Sequence, residues 1–336
     1  MRAMKKLSEK QIIKYFQKQN LKKFVSEDVE IFLFGKTKFA TSIDTLVQST
    51  DIPPKSDFSD IARKSIVSSV SDFASKGIIP KFCIVSITLP KNIQKKQVIK
   101  LSTGFTKACN EFNLKLLGGD TNEGKEIIIH SVLFGSPDKV IPRNGAKIGD
   151  VIITTGAFGY QAAALDIMNK RRITTKKFLA KSKKLFFRPI PRLEFGYSAR
   201  NLLSSSMDSS DGLSTCLNEL SNQSRKQFVI TKLPVNSDLV DFTTKNKMNL
   251  SNLVFNGGEE FELVCTVSVK NLPKIYKIAK RKKIKLFEIG YVARGKNVVS
   301  KSNGKRFTIH DKGCLLYTSD AADDTPCVDL GGRRII

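Results

Sequence analysis

The sequence is poor in the residues on which several classes of protein depend. It contains no tryptophan, two histidines and six cysteines in 336 residues, and it has no Cys-x-x-Cys pair. So few cysteines do not form a disulfide framework, and reduced thiols in the cytoplasm are expected instead. No apolar run approaches the ~18 residues of a membrane span. The N-terminal residues also lack the apolar core of a signal peptide.

Acidic residues are scarce as well, with 31 Asp and Glu against 57 Lys and Arg, which gives a net charge of +26. Such an excess is typical of nucleic-acid binding or of a solvated lysine-rich surface. Because no aromatic-interleaved basic repeat or nucleic-acid motif occurs, we favour the solvated surface and expect no nucleic-acid partner. The charge would still concentrate phosphorylated small substrates near the protein.

The length and an apolar fraction of 40% predict roughly two domains with substantial cores. Strand and helix patterns alternate, which predicts an α/β (α+β) fold. Composition changes after Gly145, so the predicted domains are 1–145 and 146–313. Predicted strands include 39–47, 82–89, 114–117, 127–134, 151–155, 261–267 and 285–292. A loop is predicted over 118–124, before the strand 127–134.

Residues 314–336 lack the lysine and phenylalanine that are abundant before them. This segment is similar to the conceptual translation of sequencing-library adapter DNA. We interpret it as a non-native, adapter-derived tail and exclude it from the fold prediction. The alternative is an unusual but genuine C-terminal tail.

The few acidic residues lie beside small, turn-forming residues. The clearest cases are the segments 26–28, 42–45, 71–72, 118–121, 208–212 and 257–260. Asp208 and Asp211 flank a predicted helix start, so both carboxylates can face one point. Carboxylate oxygens suit Mg²⁺, which usually bridges carboxylates and substrate phosphates. Adjacent glycines allow a polyphosphate to approach the backbone.

Each of these features also has a simpler interpretation. Asp211 could be a helix N-cap, Gly118-Gly119-Asp120 a plain turn, and Asp72 an exposed residue within a helix. Their joint occurrence in one basic chain favours a phosphate and metal site.

The order of these motifs resembles thiamine-monophosphate kinases, in the wider aminoimidazole-ribonucleotide-synthetase-like superfamily, over about residues 8–295. Residues 42–47 resemble the family's S-x-D-T-L-V strand and 68–80 its N-L-S-D-x-A-A-M-G-A-x-P helix. Residues 118–121, 143–150, 210–213 and 257–263 resemble G-G-D-T, R-S-G-A-x-P-G-D, S-D-G-L and G-G-E-D-Y-E-L. The first, second and last motifs distinguish this family from other members of the superfamily.

The resemblance implies a two-domain fold, with an N-terminal domain that binds ATP and pairs in a homodimer and a C-terminal substrate domain. It implies direct in-line transfer of phosphate from MgATP to thiamine monophosphate, which gives thiamine diphosphate. Such transfer needs charge neutralisation and alignment more than a strong base, so the scarcity of histidine is compatible with it.

The resemblance also implies roles for individual residues. Metal ligands would be Glu27, Asp28, Ser42, Asp44, Asp72, Asp120, Asp208 and Asp211. The nucleotide would be bound by Ser42, Gly119, Asp120, Arg143 and Ser210, and the thiamine end by Asp51, Glu259 and Phe261. Asp72, Asp120, Asp208 and Asp211 would be the catalytic acids.

Several positions depart from the family pattern. Glu27 stands in the place of the first Asp of a G-D-D loop, and Asp51 in the place of a histidine. Cys216 falls where an Asp is usual, Glu260 replaces an Asp, and Phe261 replaces a Tyr. These changes affect the expected metal site and thiamine pocket more than the fold.

Two alternatives remain at this point. Another ATP-using member of the superfamily, such as an aminoimidazole-ribonucleotide synthetase or a hydrogenase-maturation protein, would carry different substrate loops. A selenophosphate synthetase is disfavoured because the first cysteine is Cys83. The alternative from another class is a non-catalytic basic scaffold that binds nucleotide or nucleic acid, against which the retained carboxylates argue.

Overall fold

A computed structural model of the protein describes residues 26–53, 56–170, 172–302 and 305–311, together with 11, 12, 15, 16 and 18. Within these residues the chain forms two mixed sheets with helices packed on them, which confirms the predicted fold class. The tail 314–336 lies outside the described residues. Among the helices described, none is both long and apolar enough to cross a bilayer.

The first sheet has the order β1-β2-β5-β3-β4. Its strands are β1 (Glu30–Phe34), β2 (Thr37–Val47), β3 (Pro80–Pro90), β4 (Lys115–Gly124) and β5 (Ile128–Gly135). All neighbours are antiparallel except β3 and β4. Buried and less buried residues alternate along β5, so the sheet has one covered face and one open face.

Helices cover one face of this sheet. A short α1 (Gln48–Asp51) follows β2, and the long helices α2 (Phe58–Lys76) and α3 (Lys95–Glu111) pack on each other. Helix α2 begins where the Asp57 carboxylate accepts the Ser59 N–H across 2.9 Å. It ends at Gly77, whose φ of 67° is the left-handed conformation that terminates many helices.

The second sheet has the order β12-β11-β8-β10-β6-β9-β7. Its strands are β6 (Val151–Thr154), β7 (Leu203–Asp208), β8 (Gln227–Ile230), β9 (Leu263–Val267), β10 (Phe287–Ala293), β11 (Val298–Ser302) and β12 (Lys305–Thr308). Its helices are α4 (Tyr160–Asn169), α5 (Lys176–Phe187), α6 (Leu193–Ala199), α7 (Leu213–Ser224), α8 (Ser237–Lys245), α9 (Leu250–Asn256) and α10 (Leu272–Arg281). A single 3₁₀ turn, Val269–Asn271, precedes α10.

The predicted loop over 118–124 is wrong, because this segment continues β4. Gly119 pairs with Val85 and Asp120 with Ser86 in a parallel ladder. The pairing satisfies the backbone of a segment whose composition favours turns. Gly119 allows the close approach, since a Cβ there would lie 1.9 Å from the Val85 carbonyl oxygen.

Helix α2 is buried between the two halves of the chain. It packs on β2 and β5 of the first sheet and on α6 and β7 of the second half. Its apolar residues belong to a core cluster that also contains Phe195, Leu203 and Leu263 from the second half. The C-terminal turn of α2 and the end of β7 therefore meet at the junction of the two sheets.

Candidate active site

Three carboxylates from separate parts of the chain converge at this junction. Asp28 precedes β1, Asp72 lies in the last turns of α2, and Asp208 ends β7. Each offers an oxygen within 4.8 Å of the others. We call Asp28, Asp72 and Asp208 the carboxylate triad. Asp28 and Asp208 are buried, whereas Asp72 is partly accessible.

The two buried members of the triad have opposite electrostatic environments. Burial raises the pKa of Asp208 well above its usual value, and the nearby Asp28 and Asp44 carboxylates raise it further. Burial also disfavours the charged form of Asp28, but Arg143 and Lys76 outweigh it and hold the pKa of Asp28 well below its usual range. The triad is thus an acidic site in which an added cation would relieve the repulsion at Asp208.

Arg143 binds Asp28 through its guanidinium and is itself buried. Its guanidinium donates to Asp28 Oδ1 and, across 2.9 Å, to Ser26 Oγ. Its backbone N–H donates to Glu27 Oε1 at 3.1 Å. Burial opposes the charge of Arg143, yet Asp28 raises the pKa of the guanidinium above its ordinary value. Arg143 was expected near the nucleotide phosphates; in this structure it is buried against Asp28.

Two glycine-containing loops are joined beside the triad. The Glu259 N–H donates to the Ser210 carbonyl at 2.7 Å, and the Phe261 N–H donates to the Ser209 carbonyl at 2.9 Å. Glu259 and Phe261 adopt positive φ angles of 60° and 51°. These contacts fix the 208–212 and 257–262 loops as one unit, which places Ser210 and Glu259 next to each other.

The second glutamate of this unit lies inside the protein. Glu260 is 2% exposed, and its carboxylate accepts the Gly159 N–H at 3.3 Å and the Ser209 hydroxyl at 3.4 Å. Burial raises the pKa of Glu260 to about 8. Phe261 is also buried, so its ring is part of the interior in this structure.

The expected thiamine-end residues Asp51 and Glu259 come together around Lys64 of α2. The Lys64 ammonium lies 2.5 Å from Glu259 Oε1 and donates to the Asp51 carbonyl at 2.9 Å. Burial raises the pKa of the Asp51 carboxyl, which accepts the Val47 N–H, and Glu259 raises it further. An apolar pocket adjoins them, lined by residues that include Leu46, Ile52, Pro53, Ile61, Phe186 and Phe187.

Asp44, Ser42 and Asp211 were also predicted as metal ligands, and all three lie outside the triad. Asp44 lies near Asp208, and Ser42 is on the same face of β2. Asp211 is buried on the loop into α7, close with Asp208 to the Cys216 thiol, whose pKa is raised by burial and by both carboxylates. Asp211 is not a member of the triad.

Asp120 and Asp44 lie on opposite faces of the first sheet. The register aligns it with Ser86, His130 and Thr45, whereas Gly119 aligns with Val85, Ser131 and Asp44. Successive residues of a strand point to opposite faces. Asp120 therefore lies on the open face of the first sheet, whereas Asp44 lies on the face covered by α2.

Sequence reasoning missed the basic side chains that hold the acids. Lys76 contacts Glu27 and Asp28, Lys64 contacts Glu259, and Arg192 donates both to Glu262 Oε1 and, at 2.6 Å, to Glu262 Oε2. In a chain with 57 basic residues, no spacing distinguishes these from surface residues. Lysine is common in the last turn of a helix, where its charge interacts favourably with the helix dipole, so Lys76 just before Gly77 gave no sign of a role in the site.

The donor set fits a hard divalent cation. The triad supplies only carboxylate oxygens, which suit Mg²⁺ better than softer metals. The Ser42 hydroxyl, on the face of β2 that carries Asp44, is buried without a hydrogen-bond partner among the described residues. Asp28, Asp72 and Asp208 could hold such an ion, with Asp44 and Ser42 nearby.

Comparison with known proteins first identifies the class of fold. The family model "AIR synthase related protein, N-terminal domain" matches residues 26–136. A solved structure described as AaThiL complexed with AMPPCP and TMP superimposes with a TM-score of 0.81 at 24% identity, over 93% of this chain and 99% of that one. The chain thus has the fold of AIR-synthase-related proteins.

The curated relatives identify the family. A thiamine-monophosphate kinase of Nitrosopumilus maritimus is 48% identical over 92% of this chain and 98% of its own length. A thiamine-monophosphate kinase of Buchnera aphidicola from Acyrthosiphon pisum is 33% identical, with 92% and 98% covered. The chain belongs to the thiamine-monophosphate kinase family, which confirms the resemblance and the expectation of a kinase.

Proposed function

We propose that this chain transfers the γ-phosphate of ATP to the phosphate of thiamine monophosphate, giving thiamine diphosphate and ADP by direct in-line displacement. The observation that carries the proposal is the carboxylate triad at the junction of the two sheets, beside the joined 208–212 and 257–262 loops. Family membership supports the substrates, because relatives that match nearly the whole chain are named for this activity. A structural neighbour was solved with AMPPCP and TMP.

In this reaction one phosphate oxygen of thiamine monophosphate forms a bond to the γ-phosphorus as the bond to the β–γ bridging oxygen breaks. The attacking oxygen is already ionised, so no general base is required. Bound Mg²⁺ would neutralise phosphate charge and align the reacting oxygens. Asp28, Asp72 and Asp208 would hold it, with Ser42, Asp44 and Asp211 beside them.

The other expected residues would bind the phosphates, position Asp28 or bind the thiamine end. Gly119 and Ser210 would allow phosphates to approach the backbone, and Arg143 would fix Asp28 rather than touch the nucleotide. Asp51 and Glu259, held by Lys64, would form the thiamine end, next to the apolar pocket of Phe186 and Phe187. The buried Phe261 ring would pack behind the thiamine end without touching the substrate.

The direct test measures thiamine diphosphate after incubation of the full chain with MgATP and thiamine monophosphate. Product should form with the parent and be lost in Asp72→Asn and Asp211→Asn. Asp241→Asn, an exposed change on α8, should leave activity unchanged. Absence of product from a folded parent that binds ATP would overturn the proposal, and would point to another phosphate acceptor.

The homodimer is also part of the proposal. Ile43, Phe82 and Ile84 are 48%, 40% and 37% exposed on the open face of the first sheet, and a second copy of that face would cover them. The partner's sheet would then lie over Asp120. Ile84→Glu should give monomers in sedimentation equilibrium, whereas Ile173→Glu, an exposed apolar residue outside the sheet, should not. A monomeric parent would refute the pairing.

A cytoplasmic location completes the proposal. Cys83, Cys109, Cys216 and Cys265 are free thiols in the described part of the chain, as a reducing compartment favours.

A further inference from the structure

One charged side chain of the site has no role in the transfer proposed above. Lys76, in the last turn of α2, is 0% exposed. Its ammonium lies 2.5 Å from Glu27 Oε2 and 2.7 Å from Asp28 Oδ2, and it donates to the Ser206 carbonyl at 3.1 Å. An ammonium has three N–H donors, so these acceptors use all of them. The charge is therefore fixed in place at the triad.

Glu27 is occupied in the same way. Oε2 accepts from Lys76, and Oε1 accepts the backbone N–H of Arg143 at 3.1 Å. Both of its oxygens are thus bound to protein donors, as are those of Asp28. Glu27 differs from Asp28 because it is absent from the carboxylate triad. Its position outside the triad and its contact with Lys76 are those of a counter-ion.

The family motifs that this chain resembles give a second indication that Lys76 and Glu27 act as a pair. In the helix motif that residues 68–80 resemble, the position of Lys76 is a methionine, and in the loop motif the position of Glu27 is an aspartate. Relative to those two motifs, this chain carries a further buried positive charge together with a longer carboxylate that reaches it. A buried lysine without such partners would be strongly destabilising.

We propose that Lys76 is an internal cation of the active site, which neutralises Glu27, positions Asp28, and keeps Glu27 out of the ligand shell of the divalent metal. Asp28, Asp72 and Asp208 then hold that metal. The inference rests on the proposed function, since it concerns the same metal site. Lys76 is a positioning residue in this scheme, because it contacts no substrate.

The test measures Mn²⁺ binding to the full chain without nucleotide, by the electron paramagnetic resonance of free Mn²⁺. Removal of the ammonium in Lys76→Met leaves the site more negative, so Mn²⁺ should bind about tenfold more tightly. Asp72→Asn should weaken binding by about tenfold or more. Lys282→Met, which removes an exposed lysine paired with Glu194, should have no effect.

The decisive variant is Lys76→Met combined with Glu27→Gln. It removes one positive and one negative charge and keeps the buried charges balanced, so it should fold even if Lys76→Met alone does not. If Glu27 is only a counter-ion, the double variant should bind Mn²⁺ with an affinity within about threefold of the parent. A loss of about tenfold would show that Glu27 is a ligand and would overturn the proposal.

The remaining outcomes also decide the matter. Mn²⁺ binding that appears only in Lys76→Met, or in neither the parent nor any variant, would overturn the proposal, because the triad of the parent would then hold no metal. Because no ATP or thiamine monophosphate is present, the result does not depend on the kinase assay. A chain that makes no thiamine diphosphate could still show the expected order of Mn²⁺ affinities.

Discussion

The backbone N–H of Glu259 donates to the Ser210 carbonyl across 2.7 Å. This bond joins the loop that follows β7 to the loop that precedes β9. The two loops carry an expected nucleotide contact and an expected thiamine contact, so under the proposed function their relative position would set the distance between the two substrates. Anything that separates them should disturb stability and catalysis together.

Gly212 tests this connection, since its φ is 96° and an added Cβ would lie 2.0 Å from the Gly257 carbonyl oxygen. Gly212→Ala combines backbone strain with a clash and should cost about 3 kcal/mol or more in free energy of unfolding. Gly35→Ala is the matched control, because φ is 61° there but nothing lies within 4 Å of a Cβ. It should cost only about 1 kcal/mol. Equal losses in urea unfolding would show that the contact between the loops does not matter.

Much of this architecture could be predicted from the sequence, because it is encoded locally. The alternation in β2, the glycine that ends α2 at Gly77, and the acids in glycine-rich segments all depend on neighbours in the chain. The same local composition gave the wrong result over 118–124. There the parallel ladder with β3, whose paired residues lie 34 positions earlier in the sequence, decides the structure.

The site was only partly predictable for the same reason. The acids of the triad were recognisable by their small neighbours, but the bases that hold them come from distant segments. Lys76 meets Glu27 across 49 residues and Arg143 meets Asp28 across 115. In so basic a chain, only the fold distinguishes these two from the solvated lysines and arginines.

The Arg192–Glu262 ion pair should contribute strongly to the stability of the 257–262 loop. Arg192 binds both carboxylate oxygens, Thr155 Oγ1 donates to Oε2 at 2.7 Å, and the pair is mostly buried. Arg192→Met leaves the Glu262 charge buried and unpaired, so it should destabilise the fold by about 3 kcal/mol. The double change Arg192→Met and Glu262→Gln should lower the free energy of unfolding by less, because it leaves no unpaired charge in the interior. Additive losses in urea unfolding would contradict this coupling.

Glu260 should make stability depend on pH. Its pKa is raised from 4.5 to about 8, so between these values the folded chain keeps a proton that the unfolded chain has lost. Stability should therefore fall as the pH rises through this window, by up to about 1.4 kcal/mol per pH unit. Below the window both states are protonated, and above it both are ionised, so the contribution is constant.

Glu260→Gln removes this dependence, because the amide does not titrate. Its Tm relative to the parent should increase steadily from about pH 5 to about pH 8. Asp241→Asn, an exposed carboxylate changed to an amide, should show no such trend. A constant Tm difference between Glu260→Gln and the parent would mean that Glu260 is ionised in the folded protein throughout.

Lys64 should affect the binding of thiamine monophosphate more than that of ATP. Its ammonium joins Glu259 and the Asp51 backbone beside the pocket of Phe186 and Phe187, and it approaches the Phe186 ring within 5.6 Å. Lys64→Met leaves the Glu259 carboxylate without this cation and should loosen the proposed thiamine end. Because the proposed function assigns Lys64 to the thiamine end and gives it no contact with the transferring phosphate, KM for thiamine monophosphate should rise about tenfold with a smaller change in kcat.

The matched control is Lys100→Met, since Lys100 forms a lysine–carboxylate pair of the same length, 2.5 Å, with Asp57 at the exposed surface. It should change neither KM, as expected for a solvated pair. Lys64→Arg should recover part of the loss by restoring the charge. Steady-state kinetics with each substrate varied in turn separates the cases. An equal rise in both KM values, or a loss confined to kcat, would place Lys64 at the transferring phosphate and remove the thiamine end from this pocket.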